Sequence, residues 1–178
     1  MNFILSQVFV VISIIFLSLT YLIKDKKKIL ILCIFSSVTY GLQYLFLKAF
    51  TGMIVNAVGI IRAVWFYINN QKNKNNSIFS LILISSLFLI STILTWDGVA
   101  SVLPLFSAIA FTYSIWRNNV LVYKWIAIPV SVSWIIYNII VGSILGYIME
   151  GMLLIIEIIG LILFYKKNKV NKGQDLLI

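Results

Sequence analysis

Short polar breaks divide this chain into seven long apolar stretches, and that division decides what it can fold into. They run from Phe3 to Ile23, Ile29 to Leu47, Met53 to Ile68, Ser77 to Thr95, Val99 to Trp116, Trp125 to Val141 and Ile144 to Phe164. A helix crossing a bilayer needs about 20 mainly apolar residues. The third stretch is the shortest, and it carries Arg62. Strand barrels also span membranes, but they alternate with period two in segments of about ten residues. The run from Ile78 to Leu94 is broken only by Ser and Thr hydroxyls and has no such alternation, so helices are predicted. Composition agrees: 62% of residues are hydrophobic and 11% charged, against about 45–50% and about 25% in a soluble globule. So few polar side chains cannot cover the apolar surface of a water-soluble fold. The expected class is an all-α membrane protein with seven transmembrane helices.

Loop charges predict the orientation, because short loops rich in Lys and Arg stay on the cytoplasmic side. Lys24, Lys26, Lys27 and Lys28 follow span one; Lys72 and Lys74 follow span three; Arg117 and Lys124 follow span five; Lys166, Lys167, Lys169 and Lys172 follow span seven. The intervening loops hold only Lys48 and Asp97. The N-terminus is therefore expected outside and the C-terminus in the cytoplasm. Span one reads as a retained helix rather than a signal peptide, since its lysines follow the apolar core instead of preceding it. Tyr21, Tyr44, Trp65, Tyr67, Trp96, Trp116, Tyr123, Trp125 and Tyr165 lie near span ends, where amphipathic rings favour the interface.

The chain also repeats itself. A shift of 94 residues lays Ser37, Tyr40, Gly52 and Asn56 on Ser131, Trp134, Gly146 and Glu150. A rival shift of 101 lays Asn56 and Gly59 on Glu157 and Gly160. Spans one and five enter from the same side, which predicts two parallel three-helix bundles joined by an inverting fourth helix, a 3+1+3 plan. The corresponding segments are 1–68 and 99–165, with the Asn-rich linker and connecting helix at 69–98 and a basic cytoplasmic tail at 166–178. The last ten residues, from Lys169, are expected to be disordered.

Polar residues inside apolar spans need an account, since an ionisable group there costs about 2.5–3.5 kcal/mol on insertion scales. Arg62 and Glu157 follow Gly52 and Gly146 by ten and eleven residues, hence lie at similar depth. An ion pair between them is one reading, and snorkelling of Arg62 to the head groups is the other. Glu150 shares the helical phase of Glu157, so one face of span seven presents two carboxylates, as a cavity lining or proton path would. Tyr40, Asn56, Trp134 and Glu150 are candidates for a pocket holding a small polar solute. Gln43 and Asn138 join them, although such amides also serve as glue between helices. Pro104 begins a stripe with Ser107, Ala108, Phe111 and Ser114 and is expected to kink span five as a static bend or a gate.

The chain has no histidine and one cysteine, Cys33 in an apolar run, which reads as a buried structural thiol. Imidazole chemistry and a cysteine metal site are thereby excluded. No nucleophile with a base is present, so no catalytic residue, cofactor or metal is expected, and the chain does not read as an enzyme. Its net charge of +9 does not predict nucleic-acid binding, because the basic residues punctuate the spans instead of forming one face. No phosphate-binding glycine loop marks a nucleotide-driven pump. The expected partners are the lipid bilayer, a small polar solute and a further copy of the chain.

The run Trp134, Ile135, Ile136, Tyr137, Asn138, followed by Gly142, Ser143, Gly146, Met149, Glu150 and Gly151, resembles the signature of the YgjV family of bacterial inner-membrane proteins. Gly52, Asn56, Ala57, Gly59, Ile60, Ile61 and Arg62, with the pair Leu103 and Pro104, resemble it too, and the likeness extends from about Gln7 to Tyr165. One departure is the end of span seven, around Leu163, which lacks a basic residue that some members carry. The resemblance implies the bacterial cytoplasmic membrane. The layout is similar to that of SWEET, PQ-loop and PnuC-type transporters, in which paired three-helix bundles rock about a central site. That likeness implies a small-molecule facilitator working by alternating access, with Glu150 or Glu157 available for proton coupling. A membrane scaffold or partner subunit, whose polar residues only hold helices together, is the alternative.

Overall fold

The structure is a computed structural model and describes residues 2–23, 25–72, 77–117 and 119–174. The described residues form α1 (Asn2–Leu22), α2 (Lys26–Phe46), α3 (Phe50–Gln71), α4 (Ile78–Leu94), a 3-10 turn (Val99–Ser101), α5 (Val102–Trp116), α6 (Val120–Ile140) and α7 (Ile144–Gln174), with no strand among them. Six are long and apolar enough to cross a membrane; α4, with 17 residues, is the shorter apolar one.

Polar residues in the breaks start the helices. Asp25 accepts a hydrogen bond from the Lys27 amide at 2.8 Å. Ser77 accepts one from the Ser80 amide at 3.2 Å. Asn119 accepts from the amides of Leu121 and Val122 at 2.9 and 3.3 Å. Each satisfies amides that no helical carbonyl can reach, worth about 1 kcal/mol apiece.

Several boundaries differ from the sequence expectation, one of them through such a cap. The Asn119 cap starts α6 at Val120, five residues before Trp125, and takes Lys124 out of the loop. Helix α3 begins at Phe50 and ends at Gln71, so Asn69 and Asn70 are helical. Residues 73–76 of the Asn-rich linker lie outside the described residues. Past Phe164 the backbone of α7 stays helical to Gln174, correcting the expectation of disorder from Lys169. Residues 175–178 of that tail lie outside the described residues.

The first three helices pack in sequence, as do α5, α6 and α7; α4 lies against α3 and α5, and α1 meets α7. One apolar cluster includes Val10, Ile14, Tyr44, Tyr137 and Leu153. A second includes Leu30, Phe66, Ile84, Phe88 and Ile115. Outward-facing residues such as Phe79, Leu94 and Val99 are large and apolar, as a lipid-facing surface requires.

Advancing α2 by 94 residues reproduces the bounds of α6, and the same shift carries the start of α3 onto the start of α7 and the end of α1 onto the end of α5. The two turns agree bond for bond. Ala49 N–H donates to the Tyr44 carbonyl at 2.9 Å, and Ser143 N–H to that of Asn138 at 2.8 Å. Leu47 bonds to Gln43 and Val141 to Tyr137, at 3.1 and 3.0 Å. Lys48 has φ 58° and Gly142 φ 74°, the left-handed conformation that lets each chain reverse. Only the shift of 94 matches these turns, since 101 would carry Lys48 into the interior of α7.

Candidate functional site

A cavity of about 80 Å³ lies at the centre, and each of the seven helices contributes to its wall. Tyr40, on α2, donates its hydroxyl to Glu150 Oε1 on α7 at 2.5 Å. The Trp134 ring, from α6, stacks on Tyr40 at 6.4 Å and on Tyr44 at 5.5 Å. From α3, Asn56 gives its Nδ2 to the Gly52 carbonyl one turn back at 2.9 Å and also borders the cavity. Tyr40, Asn56, Trp134 and Glu150 thus meet as two repeat-related pairs around one space. Ser37 and Ser131, equivalent under the same shift, line it too.

Arg62 and Glu157 border the same cavity, about two turns along their helices from Asn56 and Glu150. Arg62 is only 6% exposed within the protein. Its guanidinium lies 4.8 Å from the ring centre of Phe111 and 5.6 Å from that of Phe88. Nη1 makes long hydrogen bonds, 3.4 Å to the Ala108 carbonyl and 3.3 Å to Thr112 Oγ1. The side chain therefore turns inward, and the snorkelling expectation is corrected: the aromatic faces and α5 carbonyl draw the cation to the interior. Glu157 accepts a hydrogen bond from Ser131 Oγ at 3.0 Å. Phe88 and Thr112 were not legible as partners of Arg62, because no local pattern relates α3 to residues on α4 and α5.

Gln43 and Asn138 do not line the cavity. They belong to a buried polar knot beside the two turns, where Gln43 Nε2 donates to Ser143 Oγ at 2.8 Å and Tyr44 OH to Asn138 Oδ1 at 3.1 Å. The Gly52 amide donates to Tyr137 OH at 3.0 Å. Tyr44, expected at the interface, is instead fully buried, with its hydroxyl on Asn138 and its ring against Trp134. Cys33 is buried as expected and touches the cavity wall.

Pro104 falls in the first turn of α5, where an amide lacks a helical partner anyway, so the expected kink has no cause there. The interior proline is Pro129 of α6, beside the cavity residues Val130 and Ser131. Its ring leaves the carbonyl four residues earlier without a helical donor. Ser133 Oγ donates to the Pro129 carbonyl at 2.9 Å in the turn that follows.

The family model Imp-YgjV, described as bacterial inner membrane protein, matches residues 4–168. The chain belongs to the Imp-YgjV family. No curated protein and no solved structure matches it. The Imp-YgjV match covers every residue of the cavity wall and of the polar knot, so the family description and the apolar helices together make this a bacterial inner membrane protein.

Proposed function

We propose that the protein is a small-molecule facilitator in which two parallel three-helix bundles, α1–α3 and α5–α7, move about the central cavity by alternating access, with α4 as the inverting seventh span. The observation that carries this reading is the cavity wall: equivalent positions of the two repeats, Tyr40 with Trp134 and Asn56 with Glu150, all border a single space. A merely structural duplication has no need to leave a void bordered by Arg62, Glu150 and Glu157, because small polar groups in membranes pack directly against one another. Aromatic walls with a few convergent polar groups are how small ligands are held. Reciprocal contacts also support the two-bundle plan. Gln7 of α1 accepts from the Leu145 amide at the start of α7 at 2.8 Å. The repeat-equivalent pair, Ser101 and Thr51, lies 3.2 Å apart at the start of α3.

Reconstituted vesicles test the reading. Wild type should equilibrate a small polar solute faster than protein-free vesicles, and folded Asn56→Ala and Glu150→Gln variants should lose that acceleration. A wild type that moves no solute overturns it. The hydrogen bonds that join Gln43 to Ser143 and Tyr44 to Asn138 favour the scaffold reading in that case.

A further inference from the structure

We propose that the cavity binds a small zwitterion, its anionic group held by Arg62 and its cationic group by the Glu150 and Glu157 face of α7. The inference rests on the facilitator reading and names its substrate class.

The volume sets the size. A water needs about 10–15 Å³ of such space, so about 80 Å³ takes a solute of about five to eight non-hydrogen atoms. Charge sets the class. Arg62 is buried, yet its two described hydrogen bonds are both long and both use Nη1. Its Nε has no hydrogen-bond partner among the described residues. A guanidinium offers five donors in a planar fork that matches a carboxylate. Phe111 and Phe88 hold its plane without using those donors. Gly59 keeps the neighbourhood open: a methyl group there would lie 3.3 Å from Ser37 Oγ and 3.7 Å from Arg62 Nη2. A buried guanidinium with unused donors at a cavity wall is a seat for an anionic group.

Acidic side chains share the same wall. Glu150 and Glu157 lie two turns apart on one face of α7, both lining the cavity. Tyr40 and Ser131 donate to one oxygen of each, which orients the carboxyl groups. A neutral polyol would meet none of these charges, and a simple anion would sit beside two acidic side chains. A simple cation would share the space with Arg62. A solute bearing both signs fits all three.

Uptake by reconstituted vesicles is measured for alanine and serine as zwitterions, lactate as an anion, ethanolamine as a cation and glycerol as a neutral solute of similar size. Binding is read in detergent from tryptophan fluorescence, with Trp134→Phe as the control that removes the signal. Alanine and serine should enter saturably, at least tenfold faster than the other three, and should quench the fluorescence. Arg62→Gln and Glu157→Gln, shown to be folded by gel filtration, should each lose tenfold or more in alanine affinity. Uptake of glycerol, lactate or ethanolamine alone overturns the zwitterion and leaves the facilitator standing. Quenching by alanine without uptake upholds the binding site and overturns transport. Neither quenching nor uptake by any of the five overturns both.

Discussion

At the scale of single residues, Tyr40 and Glu150 form a hydrogen bond that joins α2 to α7 in the cavity wall. Hydrogen bonds between membrane helices average about 0.6 kcal/mol, with a maximum near 1.7. A double-mutant cycle of Tyr40→Phe and Glu150→Gln, followed by unfolding in detergent, should therefore give a coupling of about 1 kcal/mol. Zero coupling would mean the two side chains do not act as a pair. Gly52 makes a second prediction. A methyl group there would lie 2.8 Å from the Tyr44 ring and 3.0 Å from that of Tyr137. Rigid rings in a packed core cannot give way cheaply, so Gly52→Ala should destabilise by about 1–3 kcal/mol. Gly151 has nothing within 4 Å of that position, and Gly151→Ala should be neutral or stabilising by up to about 1 kcal/mol. The pairing of Gly52 with Gly146, and of Tyr40, Asn56, Trp134 and Glu150 around one space, was legible because the repeat marks equivalent positions. The separation of Gln43 and Asn138 from that space was not, since an amide one turn from a pocket residue can face either way. Only the neighbouring Ser143, Tyr44 and Tyr137 decide it.

At the scale of elements, hydropathy located every helix but placed their ends only loosely. The ends are decided by capping side chains such as Asn119, whose effect depends on local geometry and not on hydropathy. The same limit explains Pro104. A proline kinks a helix only if the helix has already begun, and the 3-10 turn at Val99–Ser101 leaves Pro104 in the first turn of α5. Pro129, deep in α6, is the residue that weakens a helix next to the cavity. If α6 flexes there as the bundles move, Pro129→Ala should preserve alanine-induced quenching and slow uptake by about tenfold, equivalent to ~1.4 kcal/mol on the barrier. Unchanged uptake would make the proline a static feature of α6.

At the scale of the whole molecule, the repeat and the loop charges are separate signals that bear on one arrangement. A shift of 94 residues carries α2 onto α6 and matches the two turns, as the proposed pair of parallel bundles requires. Parallel halves need an odd number of helices between equivalent elements, and α4 supplies it. The proposed plan would put the α2–α3 and α6–α7 turns, with Asp97, on one side of the membrane, and Lys72 and Arg117 on the other. The expected retention of basic loops in the cytoplasm would then set the direction. In a Cys33→Ala background, Asp97→Cys should react with a membrane-impermeant maleimide in intact cells, whereas Lys72→Cys and Arg117→Cys should react only after the membrane is opened. The reverse pattern at all three would invert the topology and keep the parallel repeat. Labelling of Lys72→Cys and Arg117→Cys from opposite sides would break the plan itself, because it would require α4 and α5 to cross the bilayer an odd number of times between them.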